Sequence, residues 1–256
     1  MAKKRYEKKR PSVGYRIVKA LIRFFYLKYK TQGAENIPDE PVIIVGNHAQ
    51  MHGPIAYELY SPVKRYTWCI NEMTEWKLIP SYAFRDFWSM KPKWTHPFYR
   101  VLSYIIAPLA ILLLNNADTV PVYRDRRIVT TLRLSAELME QGNGIVIFPE
   151  HASGFDGVTC DFLDGFADLA RLWYKRTGKA ACFVPAYIAP KLRLICFGEP
   201  LRSDPEADAA SERARIAAQL RERIDAIARE LPEHTVVPYL NLPKKQWPKN
   251  RPAADG

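Results

Sequence analysis

Short apolar runs that stop abruptly in polar loops constrain this chain more than any other feature. Val42-Ile43-Ile44-Val45-Gly46 leads straight into Asn47-His48, and Ile145-Val146-Ile147-Phe148 leads into Pro149-Glu150. Neither run alternates apolar with polar side chains, so each reads as a strand covered on both faces. Helical patterns lie between such runs. Gly53-Pro54 marks one helix start, since proline suits the first helical position. Ile128–Gln141 is stopped by Gly142-Asn143-Gly144, and Leu163–Arg176 ends before Gly178. Asp208–Leu231 carries Ile216, Leu220, Ile224, Ile227 and Leu231 on one stripe. Thr119–Arg124, Phe183–Ala189 and Leu192–Gly198 read as further strands, the last near an edge. Alternating strands and helices predict an α/β fold: a single domain over 31–240 with a mixed, largely parallel sheet covered by helices. No internal repeat and no linker divides that body.

A chain of 256 residues, 48% hydrophobic, buries a sizeable core, and its composition excludes a disordered polymer or a disulfide-stapled miniprotein. Its net charge of +11 points to an anionic partner, nucleic acid or membrane. Residues 1–30 hold eleven Lys/Arg against Glu7, a net +10; residues 241–256 hold four against Asp255, a net +3. The body is therefore left at −2, which argues against a basic folded face and against nucleic acid as partner.

The basic leader precedes SVGYRIVKALIRFFYLKYK, where Arg16, Lys19, Arg23 and Lys30 share one side of a helix and Val18, Leu21, Ile22, Phe25 and Tyr29 fall mostly on the others. Residues 1–30 thus predict a basic leader and an amphipathic helix lying in an anionic membrane interface. The alternative is a helix packed on its own domain. Basic residues interrupt its apolar stretch, so it is not a secretory signal. Residues 241–256 read as a basic, flexible tail. Val101–Leu114 is fourteen residues without a charge, short of the ~20 that span a bilayer, and Pro108 lies inside it. It is either a buried core helix or a shallow interfacial element. Residues 66–99 hold ten aromatics, suited to a lipid–water interface, an acyl-chain pocket or ordinary core. Cys69, Cys160, Cys182 and Cys196 are scattered, as reduced, mostly buried thiols are, and no zinc site is expected.

His48 and Glu150 stand just past two buried strands, where α/β sheets bind their ligands. Around them the chain resembles the glycerolipid acyltransferases of the lysophosphatidic acid acyltransferase type. That family's first block is Asn-His, four residues, then Asp, and Asn47-His48 matches its start. Its second, Gly-x-Ile-Pro-Val-Asp-Arg, is matched at its core by Val120-Pro121-Val122-Tyr123-Arg124. Its third, Phe-Pro-Glu-Gly-Thr-Arg, is matched by Phe148-Pro149-Glu150, and its fourth, an apolar Val-Pro strand, by Val184-Pro185-Ala186. Order and rough spacing agree across about 40–190. This chain departs from the pattern at Gly53, where the first block has Asp, and at His151-Ala152-Ser153, where the third has Gly-Thr-Arg.

The resemblance implies acyl transfer from a thioester, acyl-CoA or acyl-carrier protein, to the hydroxyl of a lysophospholipid-like acceptor, in phospholipid biosynthesis or remodelling at the cytoplasmic face of a membrane. No cofactor beyond the donor substrate is expected. His48 is implied as general base, a role that an imidazole with a reference pKa of about 6.5 suits, and Glu150 as its catalytic companion. Asn47, Arg124, Pro149 and Pro185 are implied as substrate-binding residues, with Arg124 the acceptor-phosphate arginine; Lys191 and Arg126 are substitutes for the missing second basic group. With Gly53 in place of the aspartate, Glu58, Asp156 and Asp161 are candidates to orient the imidazole, the His151–Asp161 loop being favoured. Loss of such an orienting carboxylate costs on the order of 10⁴ in a serine-protease triad. His52, four residues after His48, is a metal ligand only if both share a helix. The Gly-Pro that follows marks a helix start instead, so no metal is expected. The alternative reading is a catalytically weak or inactive acyltransferase-like protein that binds lipid.

Overall fold

The buried runs are strands. In the computed structural model, which describes residues 11–26, 28–89 and 91–251, the elements in chain order are α1 (Val13–Phe25), β1 (Lys30–Gln32), β2 (Val42–Gly46), α2 (His52–Tyr60), β3 (Arg65–Ile70), α3 (Ile79–Ala83), α4 (His96–Asn116), β4 (Thr119–Val122), α5 (Ile128–Glu140), β5 (Gly144–Ile147), α6 (Asp168–Thr177), β6 (Cys182–Ala189), β7 (Leu194–Phe197), β8 (Leu201–Arg202) and α7 (Ala209–Glu230). The fold is α/β with a mostly parallel mixed sheet. The expectations for residues 1–10 and 252–256 lie outside the described residues.

Two compact units form, one within Met1–Tyr26 and Thr67–Thr131, the other within Leu27–Tyr66 and Leu132–Gly256. The chain passes between them three times, at 26/27 between α1 and β1 and at 66/67 and 131/132 inside β3 and α5. At the last two a strand and a helix carry the chain across, so no loop-rich linker marks those divisions in the sequence.

In the second unit the strand order is β1-β7-β6-β2-β5, with β8 beside β6. The β1–β7, β6–β2 and β2–β5 pairs are parallel; β6 is antiparallel to β7 and β8. Every residue of β2 and β6 is buried, as their unbroken apolar sequences require. Helix α7 packs on β6 through Ile216, Leu220 and Ile224. Its first turn is capped by Asp208, whose carboxylate accepts the N–H groups of Ala210 and Ser211. Cys160, Cys182 and Cys196 are buried in this unit, and burial pushes their thiols up to about 12, 11 and 11.

The tail reading is corrected for residues 243–251. Asn250 is buried; it accepts the His234 N–H and donates to the carbonyls of Ala228 and Leu231 at the end of α7. Arg251 adds bonds to the carbonyls of Arg229 and Leu231. These last-turn carbonyls have no partner within the helix, and the tail supplies donors for them.

In the first unit β3 pairs in parallel with β4, Thr67 opposite Thr119 through Ile70 opposite Val122. Helix α1 runs antiparallel along α4: the Ser12 N–H donates to Asn116 Oδ1 at 2.8 Å, and Gly14 lies against Leu112. The helix ends at Phe25, earlier than the sequence pattern suggests. Lys30 is in β1, and Tyr29 is buried in the second unit, stacked on Tyr60. The reading of Val101–Leu114 as a buried core helix is overturned. Phe98, Val101, Tyr104, Ile105 and Leu109 of α4 are exposed, Phe98 by 65%. By length and composition alone, Lys93–Asn116 is apolar enough to cross a membrane. Val13, Ile17, Leu21, Phe24 and Phe25 of α1 are exposed as well, Phe24 by 81%. The aromatic-rich stretch is divided: Trp88 stacks on Tyr99, while Trp76 and Trp94 face outward.

Candidate active site

The site grows from the end of β2. Asn47 is buried, and its side chain pairs both ways with the next strand: Nδ2 donates to the Ile188 carbonyl at 3.1 Å, and Oδ1 accepts the Ile188 N–H at 2.7 Å. An amide side chain thus continues the β2–β6 ladder by one step. Asn47 thereby frames the end of the strand that carries His48.

His48 is half-buried, and the chain turns sharply after it. Ala49 and Gln50 are both left-handed, with φ of 45° and 54°, an unfavourable conformation for residues with a Cβ. The turn lays the Gln50 carbonyl on His48 Nδ1. A carbonyl can only accept, so Nδ1 carries the hydrogen and the ring's lone pair sits on Nε2. A backbone oxygen therefore fixes the tautomer that a carboxylate fixes elsewhere. The ring is walled by Phe148 and Tyr239, at centroid distances of 5.2 and 5.6 Å. The His52 N–H donates to the Ala49 carbonyl and the Gly53 N–H to the His48 carbonyl, each at 3.1 Å, which closes the turn into α2.

Gly53 is required by this turn. A Cβ there would lie 2.4 Å from the His48 carbonyl oxygen and 3.1 Å from the Phe148 ring. The first-block aspartate therefore has no room while the turn holds. We predict that Gly53→Asp lowers stability by about 1–3 kcal/mol through overpacking without raising activity. Thermal unfolding and a turnover assay check both; a stable, faster variant overturns this reading of the turn.

Glu150, at the end of β5, addresses the main chain. Its Oε2 accepts the His48 backbone N–H at 2.6 Å and its Oε1 accepts the Cys160 N–H at 3.0 Å. Burial pushes its carboxyl up to about 7, against the lowering pull of those two N–H groups. Glu150, expected as the catalytic companion of the imidazole, bonds the backbone of His48 and so ties the His48 turn to the 150–162 loop.

That loop is clasped by Arg221 from α7, which sequence reasoning missed. The guanidinium reaches Asp161 Oδ1 and the Gly154 carbonyl at 2.6 Å each, and Asp156 Oδ2 at 3.3 Å. Asp161 also accepts the Ser153 hydroxyl, and Asp156 accepts the N–H groups of Val158 and Thr159. Behind them Asp225 accepts the Thr159 hydroxyl. Burial, then Asp156, pushes Asp225 up to about 7; Asp156 goes down because its bonds to Asp225, the two N–H groups and Arg221 outweigh burial. Glu58 pairs with Arg65 at 2.9 Å. The three carboxylates proposed to orient His48 are thus held by arginines, and the observed Nδ1 partner is the Gln50 carbonyl.

Pro149 is buried, its carbonyl accepting the Leu163 N–H; Pro185 is a core residue of β6, its carbonyl accepting the Gly198 N–H. In the first unit Arg124 and Arg126 follow β4 on an exposed loop. Beside them Arg127 pairs with Asp125 and lies 4.5 Å from the Tyr123 ring centroid. His52 is the first residue of α2 while His48 precedes that helix. Among the described residues no three His, Cys, Asp or Glu side chains gather to hold a metal.

No family model matches this chain, and no curated protein does. Among solved structures it is similar to the crystal structure of the 1-acyl-sn-glycerophosphate (LPA) acyltransferase PlsC from Thermotoga maritima. The identity is 18%, over 85% of this chain and 83% of that one, with a TM-score of 0.46. At that distance, functional assignment rests on the residues of the site itself.

Proposed function

We propose that this chain is an O-acyltransferase that moves a fatty acyl group from a thioester to the hydroxyl of a lysophospholipid-like acceptor at a membrane surface. The observation that carries the reading is the His48 turn: an imidazole at the carboxyl edge of a buried parallel sheet, its Nδ1 held by the Gln50 carbonyl and its lone pair on Nε2. The four sequence blocks in acyltransferase order give that base its reaction. His48 Nε2 takes the proton of the acceptor hydroxyl as the oxygen attacks the thioester carbonyl carbon. The tetrahedral centre then collapses, the C–S bond breaks, and the thiolate takes the proton from the imidazolium. The test is transfer of a labelled acyl group from acyl-CoA and from acyl-carrier protein to a panel of lysolipids in vesicles. Acylation of at least one acceptor is expected; acylation of none overturns the reading. A second reading, a lipid-binding protein with little or no turnover, is favoured by Gly53 and by the replacement of the third block's Gly-Thr-Arg. A steady turnover number above the uncatalysed rate disposes of it.

The reading includes peripheral or monotopic attachment to the cytoplasmic, anionic face of a membrane through α1 and α4. Its support is the exposed apolar residues of both helices, beside Arg16, Lys19 and Arg23. Each basic residue near an anionic surface contributes roughly 1 kcal/mol. The triple change Arg16→Gln, Lys19→Gln, Arg23→Gln is therefore expected to weaken partitioning onto anionic vesicles about 10²-fold, with little effect on neutral ones. Flotation assays read this, and equal loss on both vesicle types contradicts it.

A further inference from the structure

The Gln50 carbonyl settles which nitrogen of His48 carries the hydrogen, but it does not fix the plane of the ring. The torsion about the Cβ–Cγ bond of a histidine is broad, and a single hydrogen bond tolerates some bending before it weakens. A base works when its lone pair is held within ~10–20° of the productive direction, by packing as well as by hydrogen bonds. Two aromatic rings supply that packing. Phe148 follows β5 and is itself held against Tyr57, at a centroid distance of 5.8 Å. Tyr239 comes from the end of the chain and meets the His48 ring at 5.6 Å and an interplanar angle of 64°, edge to face.

Tyr239 is carried by a closed loop. Thr235 bridges Lys249 in antiparallel fashion; the Val236 N–H donates to the Pro248 carbonyl at 2.9 Å and the Asn250 N–H to the His234 carbonyl at 3.1 Å. Residues 237–247 therefore leave the fold and return at one point, the form of a compact Ω loop. Its stem is pinned twice. The His234 Nδ1–H donates to the Pro232 carbonyl at 2.8 Å, so Nε2 accepts the Tyr187 hydroxyl of β6, at 3.0 Å. Asn250 ties the other side of the stem to the end of α7. The loop is also braced from within. Trp247 Nε1–H donates to the Leu242 carbonyl at 3.0 Å and the Leu242 N–H to the Leu240 carbonyl at 2.8 Å. Outside it, Lys191 Nζ lies 5.8 Å from the Trp247 ring centroid. A loop tied at its ends and bonded inside holds one side chain in place at little further cost in entropy.

We propose that Tyr239 is a positioning residue for His48: the 237–247 loop sets its ring against the imidazole and so holds Nε2 in line with the acceptor hydroxyl. The inference rests on the acyltransferase reading for the acceptor, but the packing of the ring stands on its own contacts. In a His–Asp pair one carboxylate fixes both the tautomer and the orientation of the ring. Here the two tasks are divided. The Gln50 carbonyl takes the tautomer, and Tyr239, with Phe148, takes the plane. The aromatic ring of Tyr239 is the working part, not its hydroxyl. The carboxyl-terminal segment is thereby part of the active site, although it lies outside the four sequence blocks.

The experiment is NMR relaxation of the His48 ring Cε1–H bond in the full chain in neutral detergent, assigned with His48→Gln, beside kcat and KM for acyl transfer. In Tyr239→Ala the order parameter of that bond is expected to fall from a rigid value to a flexible one. The same change is expected to lower kcat about 10–10²-fold while KM stays within about three-fold. Tyr239→Phe is expected to restore the order parameter and bring kcat to within about three-fold of the parent. Trp247→Ala, which unbraces the loop without touching the His48 ring, is expected to move both readouts the same way by less. If Tyr239→Ala does not fold, Tyr239→Leu, which keeps bulk but no ring, takes the same test. A parent-like order parameter and kcat in Tyr239→Ala overturn the inference. So does a Tyr239→Phe as impaired as Tyr239→Ala, which moves the effect to the hydroxyl, or a change in KM alone, which moves it to substrate binding. A parent-like Trp247→Ala overturns the part given to the loop. Kinetics separate the inference from the larger reading. Loss of His48 order without acyl transfer to any acceptor leaves the positioning and removes the acyltransferase. Acyl transfer whose kcat is unmoved in Tyr239→Ala removes the positioning and leaves the enzyme.

Discussion

The His48→Ala protein is expected to fold as the parent does and to transfer acyl groups roughly 10²–10⁴-fold more slowly, the usual contribution of a positioned general base. The side chain is half-buried, and its backbone N–H, the part that Glu150 holds, survives the change. Thermal unfolding should therefore move little while turnover collapses. A companion variant sharpens the result. The group on Nδ1 is the main-chain carbonyl of residue 50, so Gln50→Ala keeps it and is expected to retain the rate within a few-fold. In a His–Asp pair the equivalent change to the side chain removes the partner altogether. If Gln50→Ala is as slow as His48→Ala, the carbonyl is not what orients the ring. If His48→Ala keeps full activity, His48 is not the base.

That partner was out of reach of the sequence for a physical reason. A side-chain partner announces itself by residue type, and Glu58, Asp156 and Asp161 were sensible candidates on that basis. A carbonyl is present at every position. Only the left-handed pair Ala49-Gln50 aims this one, and neither residue is the glycine that would signal such a turn. Gly53 did stand out as a departure from the family pattern. Its meaning is steric: the turn that brings a carbonyl to the ring also fills the space an aspartate would need. The strand ends carrying His48 and Glu150 were legible because unbroken β-branched runs stopping at polar residues have few alternative structures. The role of Glu150 was not, since a carboxylate past a strand end can address a ring or a main chain with equal ease.

Long-range contributions were hidden in the same way. Arg221 sits on the solvent side of an amphipathic helix, where a charged residue is unremarkable, yet it reaches 60 residues back in sequence to Asp161. The final segment looked flexible because proline and lysine dominate it; one asparagine, Asn250, pins it by meeting unpaired carbonyls of α7. Helix α4 was readable as a helix, but an all-round apolar helix has the same sequence whether protein or something else covers it. The exposure of its Phe98 and Ile105, not their identity, makes it a surface.

Glu150 is expected to make stability fall as pH rises from about 4.5 through 7, opposite to the usual rise for salt-bridged carboxylates and against the rise contributed by His52 and His234, whose proton affinities burial lowers. Glu150 has an ordinary carboxyl value of 4.5 when unfolded and is pushed up to about 7 in the fold, chiefly by burial. Between those values the folded state holds a proton that the unfolded chain has released. Raising the pH therefore favours unfolding, by up to ~3 kcal/mol once Glu150 is ionised in both states. Asp225, also raised to about 7 by burial and by Asp156, adds in the same direction. Denaturant midpoints measured from pH 4.5 to 8 give the slope. Glu150→Gln should flatten it, and should cost about 1–3 kcal/mol at pH 5, since the amide nitrogen replaces one of the oxygens that accept from His48 and Cys160. A slope that Glu150→Gln leaves unchanged or makes more negative would mean that the two backbone N–H groups outweigh burial and keep Glu150 ionised.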